Sequence, residues 1–156
     1  METISNSHPH CFLAGTNIIT QNGEKPIESI NKGDFVLTHK MRFRKVTMTH
    51  KHIIEGSLVL VEFFHEYGKP LLSTSNPPIF TCDIENEYTV VEAINLNIGE
   101  RIYRVVPYGA GYIIFRVKII ERRIIYCKHY NEPLHNLSVD EDESFIADGI
   151  AVHNCC

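Results

Sequence analysis

Asp148-Gly149-Ile150-Ala151-Val152-His153-Asn154-Cys155 stands near the end of the 156-residue sequence, and its reading governs what is looked for upstream. An asparagine followed by a cysteine and preceded by a histidine is a set of groups able to cut the backbone between them. The Asn154 side-chain amide can attack its own main-chain carbonyl, close a five-membered succinimide and release the next residue. The His153 imidazole can move the protons this requires. At the other end, Cys11-Phe12-Leu13-Ala14-Gly15-Thr16 opens an apolar, turn-rich segment, and a thiol at Cys11 can attack the preceding peptide carbonyl. Together the two ends imply a chain that rearranges its own peptide bonds.

Between them, short β-branched and aromatic runs recur: Asn17–Thr20, Phe35–Thr38, Phe43–His50, Ser57–Phe64, Leu71–Thr74, Arg101–Val106, Gly111–Ile120 and Asn136–Val139. Turn residues punctuate them, as in Gln21-Asn22-Gly23, Asn31-Lys32-Gly33-Asp34 and Pro107-Tyr108-Gly109. This rhythm predicts an all-β fold rather than alternating β and α units. Only Val90–Asn97 and Lys25–Asn31 look capable of a helical turn or two. A single domain over residues 11–154 is the simplest division, with residues 1–10 and 155–156 as flanks.

A net charge of −4 without a basic cluster gives no reason to expect nucleic-acid binding. The 44% apolar and 22% charged composition is that of a globular chain, and no apolar run approaches a membrane span. Residues 1–10 lack the basic start and apolar stretch of a signal peptide. Five cysteines at irregular spacing argue against a disulfide framework, and no paired Cys or His ligand motif points to zinc. The expectation is a monomer in a reducing cytoplasm, free of metal and cofactor, with Cys82 and Cys127 as small core residues. The acidic run Asp140-Glu141-Asp142-Glu143 reads as a solvated loop.

The opening motif, followed by Gly23 and then Ile27-Glu28-Ser29-Ile30-Asn31-Lys32-Gly33-Asp34-Phe35-Val36-Leu37, resembles that of a minimal intein or bacterial-intein-like domain of the Hedgehog/intein superfamily. The closing motif extends the resemblance: His135-Asn136-Leu137-Ser138-Val139, then Phe145-Ile146-Ala147 and the stretch quoted first. The resemblance implies a compact, horseshoe-like fold that brings its ends together, and the chemistry of protein splicing. Cys11 would form a thioester with the acyl group of His10, and Cys155 would take that group over. Asn154 would cyclise with help from His153, and the flanking polypeptides, the exteins, would be the chain's own partners.

The resemblance breaks at one residue. The family's Thr-x-x-His motif corresponds to Thr74-Ser75-Asn76-Pro77, so Thr74 fits and Pro77 stands where the histidine belongs. Proline offers neither an acid nor a base, and it has no N–H to donate. Loss of a general acid costs roughly 10²–10⁴-fold in rate, so the first step is expected to be slow or impaired. Two other such spacings, Thr47 with His50 and Thr49 with His52, read as surface histidines, and His39 and His65 are further substitutes. Glu143 stands where some relatives carry histidine, and Asn136 where others carry aspartate. C-terminal cleavage alone, or a degenerate domain that keeps only the fold, remain the alternatives.

Overall fold

A computed structural model describes residues 10–82 and 88–154 of the protein. These residues form strands β1 (Phe12–Leu13), β2 (Asn17–Thr20), β3 (Gly23–Pro26), β4 (Phe35–Leu37), β5 (Phe43–Ile53), β6 (Gly56–His65) and β7 (Leu71–Thr74). They continue as β8 (Pro78–Cys82), β9 (Tyr88–Glu92), β10 (Arg101–Tyr108), β11 (Gly111–Tyr130), β12 (Pro133–Val139), β13 (Ser144–Ala147) and β14 (Ile150–His153). Helix is confined to two single 3-10 turns, Ile27–Ser29 and Ala93–Asn95. The all-β expectation holds.

Long strands carry the chain between packing partners. In β6 the buried positions run Leu58 and Leu60, then Val61, Phe63 and His65, so the two-residue alternation changes phase once. The change falls where the strand leaves the apolar cluster around Cys11, Ile54 and Leu134 and enters the main core around Phe12, Phe63 and Phe145. β11 pairs with β10 up to Lys118 and then with β6 from Ile119 to Tyr130, with a register shift between Ile119 and Glu121. The strand expected over Gly111–Ile120 therefore does not stop there. Ile119-Ile120-Glu121-Arg122-Arg123 contains no turn residue, and a bulge hands the chain to a second partner instead.

The two helical turns fall inside the segments expected to hold them, Ile27–Ser29 within Lys25–Asn31 and Ala93–Asn95 within Val90–Asn97, where Val90 and Val91 first pair with Phe80 and Ile79. Two further expectations are corrected. Cys82 and Cys127 are half-buried rather than in the core. The acidic run is only partly solvated, because Asp142 is buried. Its carboxylate accepts the Thr38 hydroxyl at 2.6 Å and a two-pronged contact from the Arg42 guanidinium. A charge run reads as surface until one member finds a cation and a hydroxyl inside.

The turn before the last strand fixes where the chain emerges. Asp148 (φ 46°) and Gly149 (φ 79°) both take positive φ, the pattern of a two-residue type I′ hairpin. Asp148 Oδ1 accepts the Asn17 N–H at 2.8 Å, tying the turn to β2. A Cβ on Gly149 would displace the Arg104 guanidinium and would sit on a left-handed backbone that side chains rarely adopt, so glycine is favoured there. The register that follows, Ala147 to Ile150 and Ser144 to His153, delivers Asn154 beyond the hairpin, where its N–H donates to the Glu143 carbonyl at 2.8 Å.

The Arg42 hydrogen bond holds the Asp142 carboxyl well below the usual carboxylate range. A depressed carboxylate contributes stability that is fully present above its unfolded-state value near about pH 4 and is lost as pH falls from there through its folded-state value. Asp142→Asn is expected to lower stability at pH 7 and to flatten the loss on acidification between about pH 5 and pH 2. Urea unfolding at a series of pH values measures this. An acid limb as steep in the variant as in the parent would remove Asp142 as its source.

Candidate active site

Strand β1 is two residues long and is gripped from both sides. Phe12 pairs with Ser73 of β7 and with His135 of β12. One residue upstream, the same registers flank Cys11 with Thr74 and Asn136. The Thr74 hydroxyl accepts the Cys11 N–H at 3.0 Å and donates to the Cys11 carbonyl at 3.2 Å. The Thr74 N–H donates to that carbonyl at 3.1 Å. On the other side, Asn136 Nδ2 donates to the His10 carbonyl at 2.7 Å. The His10 ring is anchored as well, its Nδ1 donating to the Asn76 carbonyl at 2.9 Å. The His10–Cys11 peptide is thus held at its nitrogen by Thr74 and at its oxygen by Asn136.

The thiol itself is buried. Cys11 is 1% exposed and packs among Ile54, Leu58, Leu60 and Leu134. Burial pushes it up from 9.0 to about 12, because the thiolate would have to lose its water. The group is well aimed at neutral pH, and very little of it is ionised.

At the other junction, β14 pairs with β8 through Val152 and Ile79. Continued by two residues, that register sets Asn154 opposite Pro77. The segment from Thr74 to Ile79 therefore links the two ends: its first residue holds the Cys11 nitrogen, and its last pairs with Val152, two residues before Asn154. The Asn154 side chain is buried, and among the described residues nothing donates to its Oδ1. His153 is half-buried, with Nε2 3.8 Å from Glu143 Oε2, an ion pair when the ring is protonated. Glu143 thus reaches His153 from the end of the acidic run. Cys155 lies outside the described residues.

Of the substitute histidines, His39 joins the C-terminal junction. Its ring stacks on Phe80 at 4.3 Å, and the His153 ring packs on the same phenyl at 5.7 Å. Ser144 Oγ accepts the His39 backbone N–H at 3.0 Å and lies 2.6 Å from its Nδ1. Burial lowers the His39 pKa, with the neighbouring Asp142 acting against that. His50 sits directly across from Asn136 in the β5–β12 register and contacts Ser138 Oγ at 2.7 Å. It is half-buried at the margin of the Cys11 junction, rather than a plain surface group, and burial lowers its pKa. His65 is used up in a turn, donating to the Lys69 carbonyl and accepting the Tyr67 N–H. The contact from Asn136 had no signal in the sequence beyond its place in the closing motif; the β1–β12 pairing creates it.

A family model described as a Hint domain matches residues 10–60. The solution structure of a bacterial intein-like domain from Clostridium thermocellum superposes with a TM-score of 0.74 at 22% identity, over 94% of this chain and 99% of that one. The chain folds as a Hint domain. The gp41-1 intein (TM-score 0.66, 20% identity, 92% and 98% covered) and the DnaX mini intein from Spirulina platensis (0.68, 17%, 91% and 98%) share the arrangement. An uncharacterized protein of Methanocaldococcus jannaschii is 32% identical over 76 residues, which are 49% of this chain. The match spans 10% of the length of that curated relative. Among the described residues, no group of His, Cys, Asp or Glu could hold a metal, and no helix is long and apolar enough to cross a membrane.

Raising the Cys11 thiol from 9.0 to about 12 lowers its thiolate population roughly a thousandfold at neutral pH. Iodoacetamide labelling followed by peptide mass mapping is expected to modify the half-buried Cys82 and Cys127 well before Cys11. Labelling of Cys11 should climb about tenfold per pH unit through pH 10. Equal labelling of all three at pH 8 would contradict the buried thiol.

Proposed function

We propose that this Hint domain is a self-processing element whose parent chemistry is protein splicing, slowed at its first step. The observation that carries the reading is the double grip on the His10–Cys11 peptide by Thr74 and Asn136. In the first step, Cys11 Sγ bonds to the His10 carbonyl carbon, the C–N bond breaks, and the thiol proton ends on the Cys11 nitrogen. The Thr74 hydroxyl, bonded to that nitrogen, orients it for departure. Cys155 Sγ then displaces Cys11 from the thioester. Asn154 Nδ2 attacks its own carbonyl, the bond to Cys155 breaks, and one amide proton passes through His153 to the departing amine. A final S-to-N shift leaves His10 joined to Cys155 by an ordinary peptide bond.

No cofactor enters, since each step is acyl transfer between groups of one chain. Holding the reacting groups together supplies a share of the barrier lowering that can reach about 7–11 kcal/mol in well-oriented intramolecular reactions. Two features oppose the first step. Pro77 supplies no acid for the leaving nitrogen, and the Cys11 thiol starts almost wholly protonated. Neither removes a group from the cyclisation assigned to Asn154 and His153, which favours C-terminal cleavage alone as the second reading. The partners on either reading are the flanking polypeptides, and a reducing compartment would keep Cys11 available as a thiol.

Intact mass followed over hours, with and without dithiothreitol, separates these readings. The parent should lose its flanks slowly, and Pro77→His should accelerate loss of residues 1–10 by about 10²–10⁴-fold, the usual worth of a general acid. Cys11→Ala should abolish N-terminal release, and Asn154→Ala should abolish C-terminal release. Release of Cys155-Cys156 alone, in parent and Pro77→His protein alike, would establish the cleavage-only reading. A mass unchanged in both proteins at every pH would overturn self-processing altogether.

A further inference from the structure

We propose that Asn136 is a catalytic residue of the N-terminal step, the oxyanion donor that stabilises the tetrahedral centre at His10. The assignment rests on the self-processing reading and deepens it. The Asn136 side chain is 6% exposed on β12, and its Nδ2 lies 2.7 Å from the His10 carbonyl oxygen, the atom that becomes an oxyanion when Cys11 attacks. Its orientation is locked. Asn136 Oδ1 accepts the Leu137 N–H at 2.8 Å, so the NH₂ end of the amide must face His10. A fixed donor in a buried site needs no reorganisation as charge develops, and such a donor typically contributes more there than in water.

The acyl group is pinned a second time by its own side chain, through His10 Nδ1 and the Asn76 carbonyl. Rotation of the carbonyl away from Asn136 would have to break both contacts. The electron and proton balance is complete within the chain. As the S–C bond forms, the carbonyl π pair moves onto the oxygen facing Asn136. When that oxygen re-forms its double bond, the C–N pair leaves with the Cys11 nitrogen, which takes up the thiol proton. Asn136 gives up no proton at any point.

An aspartate at this position would, once ionised, face the developing negative charge and could donate nothing to it. With Pro77 unable to protonate the leaving nitrogen, stabilising the intermediate adds to what proximity supplies in lowering this barrier. Asn136 adds a function at a position where burial and β-pairing alone would have accepted many side chains.

The test uses the full chain carrying Asn154→Ala, so that only the N-terminal junction can react. Release of residues 1–10 by dithiothreitol is timed by mass spectrometry in Asn136, Asn136→Asp and Asn136→Ala proteins. Both substitutions are expected to slow release by about 10²–10³-fold, the usual effect of removing one oxyanion donor. A second readout does not depend on turnover. With ¹³C at the His10 carbonyl, loss of the donor should move that resonance upfield in both variants, while backbone amide spectra show the fold retained. Release at the parent rate in both variants would overturn the proposal and leave self-processing standing. An unmoved carbonyl resonance would also overturn it, by removing the hydrogen bond. No release from the parent, even with Pro77→His added, would instead remove the self-processing reading, and this assignment with it.

Discussion

Everything at the N-terminal junction depends on how a strand of two residues is held. A two-residue strand has almost no pairing energy of its own, and Phe12 supplies the anchor. Its ring is 1% exposed and meets Phe145 of β13 edge-on at 5.6 Å. Burying such a side chain contributes about 1.5–3 kcal/mol relative to exposure, and an aromatic pair adds up to about 1.5. With Phe12 fixed, Cys11 has no choice of neighbours. The pairing that seats Phe12 between Ser73 and His135 brings Thr74 and Asn136 to the preceding peptide. Fold and site are here the same set of contacts.

That economy has a consequence for reactivity. The position that holds the peptide also buries the thiol, and burial disfavours the thiolate that would attack. A more open Cys11 would ionise more readily, but it would lose the apolar packing that keeps its carbonyl against Asn136. The arrangement therefore favours alignment over ionisation. On the proposed self-processing reading, such a balance would slow the first step without any defect in the fold.

The all-β reading was legible because it rests on local rules, and the candidate residues at the two ends because their groups name their own chemistry. Turn residues fix hairpins by their φ preferences, and Asp148-Gly149 does so at the C-terminal junction. The Cys11 and His153-Asn154 groups carry their chemistry in their atoms. What escaped were contacts made by pairing between distant strands. His39 reaches the Phe80 ring beside His153 only because β4 and β13 lie in one sheet around β2. Asp142 looked solvated because its charge is visible in sequence, whereas Thr38 and Arg42 inside its reach are not. The bulge that carries β11 past Ile119 depends on β6 being available as a second partner. Periodicity cannot reveal it.

The two asparagines show how the same side chain is set to opposite uses. Asn136 has its oxygen tied to the Leu137 N–H, which fixes the amide plane and commits the nitrogen to donation. Asn154 is equally buried, yet among the described residues its oxygen has no donor. An unmet buried acceptor costs about 1–3 kcal/mol, a cost that native interiors seldom carry. It leaves the amide free to turn about its terminal torsion, as a nucleophile must if its nitrogen is to approach its own carbonyl. Tying that oxygen as Asn136 is tied would stabilise the fold and hold the nitrogen away from its target. On the proposed function, the unmet bond stands where cyclisation would need freedom, and the locked amide where the reacting carbonyl would have to be held still.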